Sequence, residues 1–144
     1  MEIATIGFTK RTAEGFFGAL SRPGLVRVID VRANNRSQLA GFTRASDLPF
    51  FLERLVGLGY RHEPLLCPDR DLLRSYRRRE MPWDDYADAY ITQLEVGRVA
   101  DLLDPTEFDG AVLLCSEPSP EQCHRRLAAK YLQQRWREVT ITDL

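Results

Sequence analysis

Apolar positions along this chain fall into short continuous runs that alternate with stretches of helical periodicity. Glu2–Phe8 (EIATIGF) reads as a first strand ending near Gly7, and the polar turn after it offers Thr12 as the cap of a short helix, Glu14–Leu20. Leu25–Val31 (LVRVIDV) is a second strand, rich in β-branched residues that suit a sheet interior. A long polar loop, Arg32–Thr43, then leads to a helix capped by Ser46 or Asp47. That helix runs to about Leu58, is closed by Gly59, and carries Phe50, Phe51, Leu55 and Leu58 on its predicted buried face. Tyr60–Leu66 is a weaker third strand. Asp69–Arg79 is a charged helix broken by Pro82, and Trp83–Leu103 is a longer one with Tyr86, Tyr90 and Leu94 on one stripe. Ala111–Glu117 is the fourth strand, Pro120 to about Trp136 the last helix and Glu138–Leu144 the last strand.

Strand–helix alternation of this kind predicts one α/β domain over residues 1–144, with a mostly parallel sheet of about five strands and helices on both faces. Right-handed crossovers then bring every strand-to-helix loop to the same edge of the sheet, where open α/β sheets bind ligands. The residues gathered there are Gly7, Thr9 and Lys10 from the first loop, and Asp30, Arg32, Asn34, Asn35, Ser37 and Gln38 from the second. The neighbourhood of His62 comes from the third, and Cys115, Glu117, Cys123, His124 and Arg125 from the fourth. The opposite loops carry ordinary Pro, Gly and charge, and this asymmetry is what predicts a site.

Composition narrows the classes. The net charge of −1 gives no global pull toward nucleic acid or an anionic membrane, so a membrane partner is not expected. The amino-terminal MEIATIGF lacks the basic region and long apolar stretch of a signal peptide, which predicts a cytosolic protein. In that compartment three cysteines argue for thiol chemistry rather than a disulfide framework. Eighteen of the 20 basic residues are arginine, whose planar fork suits bidentate binding of carboxylate or phosphate.

The richest stretch is AVLLCSEPSPEQCHRR, residues 111–126. Ser119, Pro120 and Gln122 read as a capping box, placing Cys115 at a strand end and Cys123, His124 and Arg125 in the first helical turns. A thiol facing a helix amino terminus is biased toward its thiolate, so Cys115 is the candidate nucleophile, His124 or His62 the acid or base, and Glu117 the orienting group. The competing reading is that Cys115 and Cys123 are inert core fillers. Asp30 and Arg32 share one side of the pleat, either as an ion pair or with Arg32 gripping an anion alongside Lys10 and Arg125. Asn34, Asn35, Ser37 and Gln38 offer amides and a hydroxyl to a polar ligand. A glycine-rich phosphate cradle is not expected, because the loop holds two prolines and no glycine. Neither a cofactor nor a metal is expected: C-x2-C pairs are absent, and on a helix Cys123 and His124 would point to different faces. Arg74, Arg77 and Arg78, with Tyr76 nearby, form a basic stripe that makes nucleic acid the alternative partner.

TIGFTK (residues 5–10), DVRANNRSQLAGF (30–42), YRHEPLL (60–66) and LLCSEPSPEQCHRRLAA (113–129) together resemble the domain of unknown function 488 family over nearly the whole chain. The most specific part is Cys115-x-Glu117 followed by Cys123-His124-Arg125. Many members follow D-V-R with a Pro and a Ser-Arg pair, where this chain has Asn35 and Ser37-Gln38. The resemblance implies a small α/β domain with a polar site built from these motifs, and it supplies no reaction. The D-V-R also resembles rhodanese-type sulfurtransferases, whose glycine-bearing cysteine loop is not found here. The residues therefore predict an enzyme-like domain that binds a small polar or anionic, nucleotide- or phosphate-bearing ligand at the rim. The alternative is a non-catalytic module binding nucleic acid or protein, in which the Cys/His cluster is structural.

Overall fold

A computed structural model of the chain describes residues 1–36, 40–117 and 119–144. Its five strands are β1 (Glu2–Gly7), β2 (Arg27–Asp30), β3 (Gly59–His62), β4 (Ala111–Cys115) and β5 (Thr140–Asp143). They form one sheet in the order β3-β2-β4-β1-β5, parallel throughout. The helices are α1 (Ala13–Leu20), α2 (Leu48–Val56), α3 (Arg70–Arg77), α4 (Trp83–Val96), α5 (Val99–Leu102) and α6 (His124–Arg135). The expected parallel α/β fold is the one observed.

The pleat divides the apolar side chains between two cores. Ala4, Ile6, Val28, Val112 and Leu114 pack against Phe16, Phe17 and Leu20 of α1 and Leu48 and Leu52 of α2. Ile3, Ile29, Leu113 and Cys115 face the opposite way, toward Tyr90 and Leu94 of α4 and Ala128, Ala129 and Leu132 of α6. Both faces of the central strands are buried, which is why AVLLC reads as a continuous apolar run rather than an alternating one. Among the described residues no helix is long and apolar enough to cross a membrane.

The chain leaves β1 and β2 on the α1/α2 face but leaves β4 on the α6 face, and β4 lies between β1 and β2. The carboxyl end of β4 is therefore a switch point, where diverging loops open a crevice. Register places Gly7 opposite Cys115, and the backbone N–H of Val31 donates to Leu114 O at 3.1 Å.

Several expected boundaries move, each for a local reason. The third strand ends at His62 because Pro64 removes a ladder donor and starts a 3-10 turn, Pro64–Leu66. The long helix expected over Trp83–Leu103 breaks at Gly97 and Arg98, the latter at φ 50°, into α4 and α5. Gly57, at φ 70°, closes α2 ahead of Gly59. The buried face of α2 is Leu48 and Leu52, while Phe50 and Leu55 are 57% and 59% exposed, so the expected apolar stripe is rotated.

The largest change precedes α6. The helix starts at His124, not Pro120, and Cys123 is its N-cap in extended backbone (φ −139°, ψ 135°). Ser119 accepts from Glu121 N in a local turn and makes no capping box. Burial of the Cys123 side chain, 2% exposed, keeps that residue off the helix.

Candidate active site

Three donor atoms meet at the switch point. The Sγ of Cys115, the Sγ of Cys123 and a ring nitrogen of His124 all lie within 4.8 Å of one another, on buried residues. The expectation that Cys123 and His124 diverge on a helix is corrected here: with Cys123 extended, its thiol turns back toward the strand end. Two thiols and an imidazole are a donor set suited to a soft metal ion as well as to thiol chemistry.

The hydrogen bonding around His124 defines its role. Nε2 lies 2.8 Å from Val31 O, which accepts only, so Nε2 carries a proton and Nδ1 faces Cys115 Sγ at 3.5 Å. The Tyr90 ring meets the imidazole edge to face at 5.6 Å and is itself pinned by its hydroxyl donating to Leu66 O at 2.7 Å. Burial pushes the Cys115 thiol up. A hydrogen bond from the Cys123 thiol, the charge and hydrogen bond of His124 and the backbone N–H of Glu117 overcome that, so it ionises well below the ordinary thiol range. For His124, burial works against the cation, but the Cys115 sulfur and the bond to Val31 O raise its pKa. Both shifts favour the thiolate–imidazolium form of the pair. Burial and the neighbouring Cys115 sulfur push Cys123 in the opposite direction, so it stays a thiol and donates.

Arg125, 1% exposed, straps the loop to the sheet. Its Nη1 donates to Glu117 O at 2.5 Å and its Nε to Thr5 Oγ1 at 3.5 Å. Gly7 is required beside this strap, since a Cβ there would fall on Glu117 O and 2.8 Å from Arg125 Nη1. Gly7→Ala is expected to cost about 1–3 kcal/mol through overpacking, read as a lower urea midpoint at unchanged slope. An unchanged midpoint would mean that the loop does not sit against β1.

A second buried cluster stands across the crevice. Arg32 holds Asp30 through Nε–Oδ1 and Nη2–Oδ2, both 2.8 Å, and its Nη2 also donates to Thr43 O at 2.6 Å. Tyr60 donates to Asp30 Oδ2 at 2.7 Å, and Phe8 lies under the guanidinium. Arg32 Nη1 is buried and has no hydrogen-bond partner among the described residues.

The remaining expected site residues are distributed around this centre. His62 does not approach Cys115; its Nε2 sits 3.0 Å from Arg32 O and 3.4 Å from the Sγ of Cys67. Burial and the negative charges of Asp30 and Glu63 push the Cys67 thiol up to about 12, so Cys67 is a poor nucleophile. Glu117 lines the crevice, and among the described residues no hydrogen bond joins its carboxylate to His124. Thr9 N donates to Ser116 O, and Lys10, exposed at φ 63°, caps that crossing of loops. Asn34 lines the crevice, and the Asn35 amide reaches Tyr60 Oη at 3.5 Å. Ser37 and Gln38 lie outside the described residues.

Cys115, Cys123 and His124 line a narrow cleft whose outer wall is aromatic. Tyr76 stacks on Tyr86 at 4.6 Å and 21°, with Trp83 5.5 Å from Tyr86. This wall is absent from the sequence reading, which placed Tyr86 and Tyr90 on one helix stripe without joining Tyr76 and Trp83 to the cysteine loop. Proline 82, which turns α4 back against α3, was the available signal.

The fold and the site define a parallel α/β protein with a buried cysteine–histidine pair at the switch point of its sheet. The chain belongs to the family described as Domain of unknown function DUF488, whose model matches residues 12–132. That span includes Asp30, Arg32, Cys115, Cys123, His124 and Arg125. No curated protein and no solved structure gave a match.

Proposed function

We propose that this protein is an enzyme acting on an anionic, phosphate-bearing substrate through the Cys115 thiolate, with His124 as its acid–base partner. The observation that carries this reading is the relay Cys115 Sγ–His124 Nδ1 at 3.5 Å and His124 Nε2–Val31 O at 2.8 Å on the floor of an open cleft. A base oriented by a third group and touching a nucleophile is the arrangement that activates a thiol. Arg77 and the unpartnered Nη1 of Arg32 line or adjoin the same cleft and supply positive charge to an anion.

In this reading the thiolate attacks an electrophilic centre of the substrate and forms a bond to sulfur. The leaving group departs with its electron pair and takes the Nδ1 proton of His124. Neutral His124 then deprotonates a water or acceptor hydroxyl that attacks the same centre, restoring thiolate and imidazolium. The Glu117 N–H, directed at Cys115, stabilises the sulfur in its anionic form.

A panel of nucleotides and phosphoesters tests the reading. Turnover of one class is expected, with Cys115→Ser lowering kcat by at least about 100-fold while Cys67→Ser leaves it unchanged. Turnover that survives Cys115→Ser would overturn the assignment. So would a native protein whose Cys115 resists alkylation until it is unfolded, which would make the cluster structural.

A further inference from the structure

The thiolate cleft is continuous with a larger groove of about 1730 Å³, the two sharing Ala33, Asn34, Leu73 and Arg77. The groove is lined by Arg36, Arg70, Arg74, Arg77, Arg78 and His62, and no carboxylate lines it among the described residues. In a chain of net charge −1 this is a strong local concentration of one sign. Only Arg74 of these arginines has an ion-pair partner among the described residues, the exposed Asp71 at 3.2 Å. Four of the arginines stand on or immediately after α3, whose residues are otherwise unburied. Such a helix contributes little to the core, and its basic face looks across the groove at the Asn34–Arg36 loop.

Length sets the class of anion. At 1.5 Å per residue, Arg70 to Arg78 covers about 12 Å of helix axis. The rise of about 3.4 Å per phosphate in a duplex strand is a lower bound for an extended single strand, so that row spans at most about four phosphates, more than the single phosphate of a nucleoside monophosphate. At the cleft end the row meets the aromatic wall, where half-buried Tyr76 and Trp83, packed on the buried Tyr86, offer π faces to a base. Two buried polar groups have no hydrogen-bond partner among the described residues at this end, Tyr86 Oη, on a residue 1% exposed, and Arg32 Nη1, on a residue 3% exposed. Both residues line the cleft. A base edge or phosphate oxygen would satisfy them.

We infer that the groove binds single-stranded nucleic acid, with its phosphates along the α3 arginines and one nucleotide entering the aromatic cleft beside Cys115. This deepens the functional reading above by naming its substrate class, and rests on that reading only for the role of Cys115. A double helix does not fit the geometry, because its bases are already stacked on one another and cannot face the aromatic wall.

Fluorescence anisotropy of a labelled oligonucleotide of about ten residues tests the inference. The arms are single-stranded DNA, single-stranded RNA, the duplex of the same sequence, a mononucleotide and polyglutamate as competitor. A single strand is expected to bind with a log–log salt slope near −2, for about three phosphates at about −0.7 each. The triple variant Arg70→Ala/Arg74→Ala/Arg78→Ala is expected to flatten that slope; all three side chains are exposed, so its circular dichroism should match the parent. Trp83→Ala is expected to weaken binding about tenfold with the slope kept. Preference between the DNA and RNA arms identifies the natural strand, and either supports the inference. Duplex binding as tight as single strand, equal competition by polyglutamate, or full affinity for the mononucleotide would each overturn it. Strand binding with an unreactive Cys115 would uphold this inference and sink the enzyme reading. A reactive Cys115 protected by a mononucleotide but not by a strand would do the reverse.

Discussion

Iodoacetamide will label Cys115 of the native protein with a much shallower rise between about pH 6 and about pH 8 than an ordinary thiol, which with a pKa of about 8.5 would speed up about 75-fold over that range. The reason is the pair geometry: the hydrogen bond from Cys123, the charge and hydrogen bond of His124 and the Glu117 N–H all favour the thiolate. Cys67 and Cys123 will lag far behind, since burial and negative neighbours keep both protonated. His124→Ala removes the imidazolium's charge and hydrogen bond from the sulfur, so Cys115 labelling at about pH 7 should slow by at least about tenfold. Cys123→Ala should raise the apparent pKa without abolishing reactivity, because one hydrogen-bond donor of several is lost. Peptide mass spectrometry assigns each site. A Cys115 profile that climbs like a free thiol, or Cys67 labelling first, would sink the thiolate.

The same pair shapes stability against pH. Folding raises the His124 pKa, so its contribution is full below the unfolded value of about 6.5 and is lost as pH rises through the folded value. Folding lowers the Cys115 pKa, so its contribution is full above about 8.5 and is lost as pH falls through the folded value. Between the two unfolded values the losses offset one another, because the folded pair and the unfolded chain each hold about one proton there. Below about 6.5 and above about 8.5 the pair's contribution declines at up to about 1.4 kcal/mol per pH unit. Cys115→Ser removes the thiolate and with it the decline on the alkaline side, because without the sulfur's charge burial favours a neutral His124.

The sheet was legible because LVRVIDV is rich in β-branched residues and AVLLC is a continuous apolar run, each short and bounded by turn residues, and parallel order follows from the intervening helices. The rim was legible for the same topological reason. What could not be read was the backbone of the cysteine loop. Ser119, Pro120 and Gln122 satisfy a capping pattern that the folded chain ignores, because burying Cys123 yields more than one extra helical turn at the surface. The pairing of Cys115 with His124 rather than His62 depends on that shift. Likewise, Arg32 reads equally well as an anion grip or an ion-pair partner, and only the fold reveals that Asp30 holds two of its nitrogens and leaves the third free. The aromatic wall joins residues on both sides of Pro82 through a helix–helix turn, a contact that no periodicity encodes.

Asp30→Ala is expected to lose about 3–5 kcal/mol of folding free energy, the usual cost of stripping one partner from a buried ion pair. Asp30 is 0% exposed and Arg32 3%, so the arginine would be left charged in the core with only Thr43 O and the Phe8 ring as partners. The Tyr60 hydroxyl loses its acceptor in the same stroke. Against a total of about 5–15 kcal/mol for a domain, such a loss would be plain in a urea melt. Tyr60→Phe, which removes one hydrogen bond and no charge, should cost only about 1 kcal/mol. The double variant Asp30→Ala/Arg32→Met separates charge from packing: removing the stranded cation should restore much of the loss, giving strongly non-additive energies. Additive losses, or an Asp30→Ala cost under about 1 kcal/mol, would mean that the pair is solvated. Arg32 would then be free to bind an anion with its whole guanidinium, rather than presenting the single nitrogen that Asp30 leaves free.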